Sequence, residues 1–284
     1  VAGSATAQLA YQSTVSGQNP NYYFQFDNSW SSVGNTVSFT PANNATFGND
    51  YWNNASSAAL FPTAGSAASA NDDASISSSI ISGAGTTTAV GSLSLLFYVP
   101  SAIPATGYYF SDGDATSGSY FAFAFGSSAL NLKVGNKTFT PASTPSFAGG
   151  VTVTHSTWYY LALTWDLGGT VAGVNGVGWN VGQVGGSLVS GFLQKGGTGN
   201  ISTTSTLGQG GTMYIDAKTA GTSGVQGGEI DELATWNSVL SGSDISAQFN
   251  ALAVPEPSSV ALIGGGTLIL LCFLRRKIGA HLQG

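Results

Sequence analysis

The sequence predicts an all-β architecture, an antiparallel sandwich or barrel, followed by a short apolar segment near the C-terminus. Three observations carry the β assignment. Short apolar stretches with a period of two recur along the chain. Glycine, asparagine and aspartate punctuate them as turns, and no long helical pattern interrupts the series.

Taken in order, "LSLLFYV" (93–99) is apolar on both faces, as a central strand between two covered sides would be. "YFAFAF" (120–125) places Phe121, Phe123 and Phe125 on one face against Ala122 and Ala124. "LNLKV" (130–134) alternates Leu130, Leu132 and Val134 with Asn131 and Lys133, and Gly135-Asn136 before "KTFT" is a two-residue hairpin signal. "VTVT" (151–154), "TWYYLALTWD" (157–166), "MYIDA" (213–217) and "GEIDELATW" (228–236) extend the strand series. The Ser/Ala/Gly-rich stretch 62–92 reads as long loops around one weak strand near 76–81. One short helix is expected after the last strand. Ser241 is its N-cap, Asp244 answers three residues later, and Leu240 with Ile245 form the staple. Ile245 and Phe249 then share one face.

Composition narrows the function. Only 7% of the 284 residues are charged, but 6 Trp, 11 Tyr and 15 Phe are far too many for a disordered segment. Before Val254, twelve acids stand against four lysines and no arginine, which leaves a charge of −8. No basic stripe is available for a phosphate backbone, so nucleic acid is excluded as a partner. The single cysteine, Cys272, lies in the apolar segment, and the body therefore has neither disulfide nor thiolate chemistry. His155 is the body's only histidine and has no Gly-x-Ser-x-Gly elbow to serve.

At the C-terminus, Val254-Pro255-Glu256-Pro257-Ser258 precedes an apolar run of 16 residues (259–274) and then Arg275-Arg276-Lys277. A membrane helix usually needs about 20 apolar residues, a shortfall that tilt or local thinning can absorb. The basic cluster belongs on the cytoplasmic side and places the body across the membrane. Pro-Glu-Pro, short apolar helix and Arg-Arg cluster, in that order, resemble the PEP-CTERM sorting signal of Gram-negative bacteria. The resemblance implies recognition by an exosortase, with cleavage near Pro255, Glu256 and Pro257 and delivery to the surface or extracellular matrix; Arg275 and Arg276 complete the signal. Near the other end, "GSATAQLA" resembles the end of a signal peptide, with Ala5-Thr6-Ala7 as cleavage site and Gln8 as first mature residue.

The stretches "NYYFQFDNSW", "GSLSLLFYVP", "STWYYLALTWD" and "GGEIDELATWNSVLSGSDISAQFN" resemble, in order and spacing, the laminin-G-like, concanavalin A-type jelly roll. The likeness spans residues 8–252 and implies a two-sheet antiparallel sandwich shared by lectin-like modules, adhesion domains and some glycosidases. The segment 168–195 departs from the family's short hairpin. The expected organisation is a signal-peptide remnant (1–7), the sandwich (8–252), a linker with the Pro-Glu-Pro motif (253–258), a transmembrane sorting helix (259–274) and a basic cytoplasmic tail (275–284).

"GEIDELA" superficially resembles a concanavalin-fold glycosidase signature. Retaining hydrolysis needs two carboxyls roughly 5–5.5 Å apart. Glu229 and Asp231 fill two positions, but residues 233 and 234 are Leu and Ala, and plain strand alternation turns Glu232 to the opposite face. A non-enzyme is expected. A structural Ca2+ is the candidate cofactor, held by hard oxygens. Asp27 and Asp231 are its first candidates, because first and last strands adjoin in many such sandwiches; Asp112 and Asp114 are the second, unless they serve a hairpin turn. Trp52 and Trp179, set among Asn, Asp and Gly, are candidate sugar-stacking rings or else core, whereas Trp30, Trp158, Trp165 and Trp236 read as core. The expected role is an adhesive or structural surface protein that contacts extracellular polysaccharide, with a defined-site carbohydrate-binding module, a glycoside hydrolase or a sheet-edge self-assembling matrix protein as alternatives.

Overall fold

The computed structural model describes residues 2–62, 72–101, 106–112, 121–126, 129–135, 137–139, 153–196, 200–208, 211–217 and 227–252. In chain order the elements are α1 (Ala2–Gly17), β1 (Tyr22–Phe24), β2 (Thr40–Pro41), β3 (Thr46–Gly48), β4 (Ala58–Phe61), β5 (Ala74–Ile76), β6 (Val90–Val99), β7 (Thr106–Asp112), β8 (Phe121–Gly126), β9 (Ala129–Val134), β10 (Lys137–Phe139), β11 (Thr157–Asp166), β12 (Gly176–Gln183), β13 (Val189–Gln194), β14 (Met213–Ile215), β15 (Gly228–Trp236) and α2 (Gly242–Leu252).

The strands form an antiparallel two-sheet sandwich. Among the described residues, one sheet has eight strands in the order β13-β12-β11-β6-β15-β4-β3, with β1 also paired to β15. The other has seven, in the order β10-β9-β8-β7-β14-β5-β2. The first and last strands are neighbours, with Tyr22 opposite Thr235 and Phe24 opposite Leu233.

Period-two patterning explains the core between the sheets. Leu93, Leu95, Phe97 and Val99 of β6 and Leu161, Leu163 and Trp165 of β11 meet Phe121, Phe123, Leu130, Leu132 and Val134 of the facing sheet. Phe97 lies 5.2 Å from Phe123 and 4.5 Å from Tyr109, centroid to centroid. Each such side chain, fully buried, stabilises the fold by about 1.5–3 kcal/mol. The apolar character of the second face of β6 and β11 is explained by a second layer. Leu96, Tyr160, Ala162, Ala234 and Trp236 pack outward against Ala7, Tyr11 and Val15 of α1 and Ile245, Phe249 and Leu252 of α2.

The capping box at Ser241 is present. The Asp244 N–H donates to Ser241 Oγ at 3.1 Å, and the Ser241 N–H donates to an Asp244 carboxylate oxygen at 3.0 Å. The hairpin at Gly135 joins β9 to β10, with Val134 opposite Lys137.

Three local expectations need correction. The helix α1 is an addition to the expected all-β body, and it is docked by a stripe of Ala7, Tyr11 and Val15 at four-residue spacing. The weak strand of the Ser-rich stretch is Ala74–Ile76, earlier than expected, and Ile80 and Ile81 are core residues in the bends after it. Val153 and Thr154 are not in a strand; residues 151–152 lie outside the described residues. So do 253–284, which include Pro255, Glu256, Pro257, Arg275, Arg276 and the expected transmembrane helix. Among the described residues no helix is long and apolar enough to cross a membrane.

Candidate functional site

The side chains with displaced protonation gather where β15 bends under α1. Between Asp231 and Ala234 the register of β15 against β6 shifts by one residue, a β-bulge. Glu232 is the bulged residue, in a left-handed backbone at φ 54°. The extra residue resets the alternation. Ile230 and Leu233 point between the sheets while Ala234 points outward. Glu232 bonds Gln12 of α1 and the Tyr23 hydroxyl of β1, so it lies on the same side as Asp231 rather than on the opposite face. That corrects the expectation from plain alternation.

Both carboxyls are fully buried. Glu232 accepts from Gln12 Nε2 at 2.9 Å and from Tyr23. Asp231 accepts the Glu232 N–H on Oδ1 at 2.8 Å, and its Oδ2 has no hydrogen-bond partner. Burial pushes the Glu232 carboxyl up to about 8, with Asp27 and Asp50 adding to the rise and the bonds from Tyr23 and Gln12 opposing it. Burial, then the charges of Glu232, Asp50 and Asp27, push Asp231 well above the usual carboxylate range. Glu229, half-buried on the same strand, is pushed up to about 7 by burial and by Asp50. Desolvation disfavours the charged form in each case, so these acids tend to hold their protons near neutrality.

Amide side chains of α1 tie the cluster together. Gln8 and Gln12 each donate to Asp27 at 3.3 Å. Asn54 donates to Gln8 Oε1 at 2.8 Å and to Asp50 at 2.9 Å. Asp27 and Asp231 thus share one electrostatic neighbourhood, as the adjacency of first and last strands implied. The donor set, however, is amides and a hydroxyl, and among the described residues no three metal-ligating side chains converge. Asp231 Oδ2 and the Tyr11 hydroxyl are both buried there with no hydrogen-bond partner among the described residues, whereas calcium takes six to eight oxygens. No step is therefore routed through a metal. Asp112 is buried at the end of β7, where the Ser79 hydroxyl donates to it; Asp114 lies outside the described residues.

The two candidate stacking rings are core. Trp52 is 7% exposed beneath α1, 5.8 Å from the Tyr11 ring, and Trp179 is 3% exposed between the sheets. Trp179 lies over Gly191 of β13, where an added Cβ would sit 2.3 Å from the indole. For Trp179 the polar sequence neighbours misled because in a strand they describe the opposite face, while Trp52 stands in a turn that α1 covers. His155 is an exposed turn residue whose Nδ1 lies 3.0 Å from the Pro100 carbonyl oxygen.

Sequence reasoning missed a surface cavity of about 490 Å³ between loop 169–175 and the outer side of β13, lined in part by Val171, Asn175, Phe192 and Gln194. The signal available was the departure of 168–195 from the family pattern.

Comparison with known proteins bears on the tail and the fold. No curated protein matches the chain in sequence. Among solved structures, the binding domain of botulinum neurotoxin serotype D is similar at 12% identity and TM-score 0.50, over 84% of this chain and 52% of that one. Domain 4 of AbnA, an extracellular GH43 arabinanase of Geobacillus stearothermophilus in complex with arabinotriose, aligns at 17% identity and TM-score 0.49, over 83% and 98%. The chain spans about half the length of the toxin domains, and at these identities the likeness establishes a jelly-roll-like sandwich. Residues 253–277 match the family described as the PEP-CTERM protein-sorting motif. That motif marks an exported protein, anchored in the membrane before exosortase cleavage and then carried on the cell surface of a Gram-negative bacterium.

Proposed function

We propose that the chain is a non-catalytic surface or matrix protein that adheres to extracellular polysaccharide. The observation that supports this reading best is the burial of Asp231 and Glu232. A glycosidase needs two carboxyls open to a sugar, one of them ionised in the retaining mechanism. Here Asp231 and Glu232 are fully buried, covered by α1, and biased toward the protonated form. With export established by the sorting motif, a stable, weakly charged sandwich suits display better than turnover.

The test is a polysaccharide pull-down and glycan array with the purified chain, run with Ca2+ and again with EDTA. Saturable binding without shortening of the bound polymer is expected. Hydrolysis that disappears in Glu229→Gln would overturn the non-catalytic reading. The EDTA arm tests the calcium expectation at Asp27 and Asp231: binding or melting temperature that collapses on chelation would put a cation at those acids.

A further inference from the structure

Large hydrophobic side chains stand exposed at four described positions, Leu9, Val33, Val171 and Phe192, and two of these share one cavity. Val171 and Phe192, 38% and 41% exposed, face the cavity between loop 169–175 and β13. Asn175 and Gln194 supply its side-chain amides, and among the described residues no charged side chain lines it. At about 490 Å³ it falls within the roughly 300–1,000 Å³ usual for small-ligand sites.

The loop is held in place from beneath. Asp166, buried at the end of β11, accepts the Gly168 N–H and the Thr170 hydroxyl, each at 3.0 Å, and the Val171 N–H. The Lys195 N–H donates to the Asn175 carbonyl at 2.7 Å, and its ammonium donates to the Leu167 carbonyl at 2.8 Å. Both ends of the loop are therefore tied, and its shape does not wait for a ligand. The adjoining strand β12 turns Val177, Trp179 and Val181 inward, so Gly176, Gly178, Asn180 and Gly182 line its outward face. Gly178 sits opposite Phe192, whose Cδ2 lies 3.7 Å from where a Cβ at 178 would stand. Glycine weakens a strand interior and often marks close approach of a ligand or another backbone. Here it leaves the ring of Phe192 uncovered by any side chain from the position opposite.

We propose that this cavity binds a neutral saccharide segment, with the C–H face of a sugar ring on Phe192 and Val171 and its hydroxyls on the amides of Asn175 and Gln194. The proposal rests on the polysaccharide-contact reading above and gives it a place and a ligand class. Neutrality follows from the lining: a uronate or an ammonium sugar would lose water there without gaining an opposite charge.

The experiment uses the purified full chain in a non-glycosidic detergent, with dextran, starch and arabinan as neutral probes and alginate as the charged one. Saturable binding to at least one neutral polymer is expected. Phe192→Ala, and separately the Asn175→Ala/Gln194→Ala pair, should weaken it by about tenfold or more without lowering the melting temperature, since all three residues are exposed. Wild-type binding that both variants retain would overturn this cavity and leave the broader reading standing. No binding by wild type overturns both. Preference for alginate overturns the neutral class. Dimerisation through β13 that Phe192→Ala abolishes, with no polymer bound, would assign the surface to a second copy instead.

Discussion

Glu232 holds a left-handed backbone in the middle of a long strand, and that one torsion decides which carboxyls meet. The conformation is uncommon for a residue with a side chain and costs on the order of 1–3 kcal/mol. In return it puts Glu232 beside Asp231 under α1, within reach of Gln12 and Tyr23. Because the folded state raises the affinity of these acids for protons, the unfolded chain releases its protons first as pH rises. Stability therefore falls from about pH 4.5 toward about pH 8, the reverse of an ion-paired carboxylate. Melting temperatures taken from pH 5 to 8 should decline steadily, and Asp231→Asn should flatten the decline; a wild-type profile that rises over this range would refute the protonated cluster. Gly191 offers a separate check. Gly191→Val drives carbon into the Trp179 ring, and denaturant unfolding should report a loss of about 1–3 kcal/mol. The pairing of first and last strands was legible in the sequence, while the side taken by Glu232 was not, since a single inserted residue flips every later side chain.

At the scale of elements, α1 shows how docking can stand in for propensity. Its sequence, AGSATAQLAYQSTVSG, mixes Ala with Ser, Thr and a terminal Gly and has no acid in its first turn. What holds it is the Ala7-Tyr11-Val15 stripe on the sheet, the Gln8 and Gln12 bonds, and Gln18, whose Oε1 accepts from Gln248 at 2.5 Å. Tyr11 is fully buried. Tyr11→Ala should cost about 3–5 kcal/mol and speed amide exchange along α1 and β1, while β8 and β9 on the far sheet keep their protection. Equal loss of protection in both sheets would mean that α1 belongs to the cooperative core and is not a layer laid over it. The stripe was readable at i, i+4 and i+8, but the small residues around it also fit a signal-peptide end. The strands fared better: β6 contains the apolar run 93–99, whose two-sided character foretold cover on both faces, although the identity of that cover depends on contacts from either end of the chain.

Across the whole molecule, charge is segregated by destination. The body before Val254 carries every acid but Glu256 and only four lysines, whereas both arginines stand in the tail at 275 and 276. A body hydrated by hydroxyls and amides has no basic block to hold it back from crossing a membrane, and the cationic cluster of the tail is the part expected to stay on the cytoplasmic side. This makes the fate of the two parts separable. Replacing Pro255, Glu256 and Pro257 together by alanine leaves the sandwich untouched in sequence and removes the sorting motif matched at 253–277. Cell fractionation of that variant should find full-length chain in the inner membrane, where wild type yields a shorter product at the surface. Arg275→Glu with Arg276→Glu should act earlier, reducing the membrane-held intermediate, because negative residues no longer favour the cytoplasmic side. Should the alanine variant reach the surface at the wild-type length and amount, processing at the Pro-Glu-Pro motif would be refuted, and the fold would remain as described.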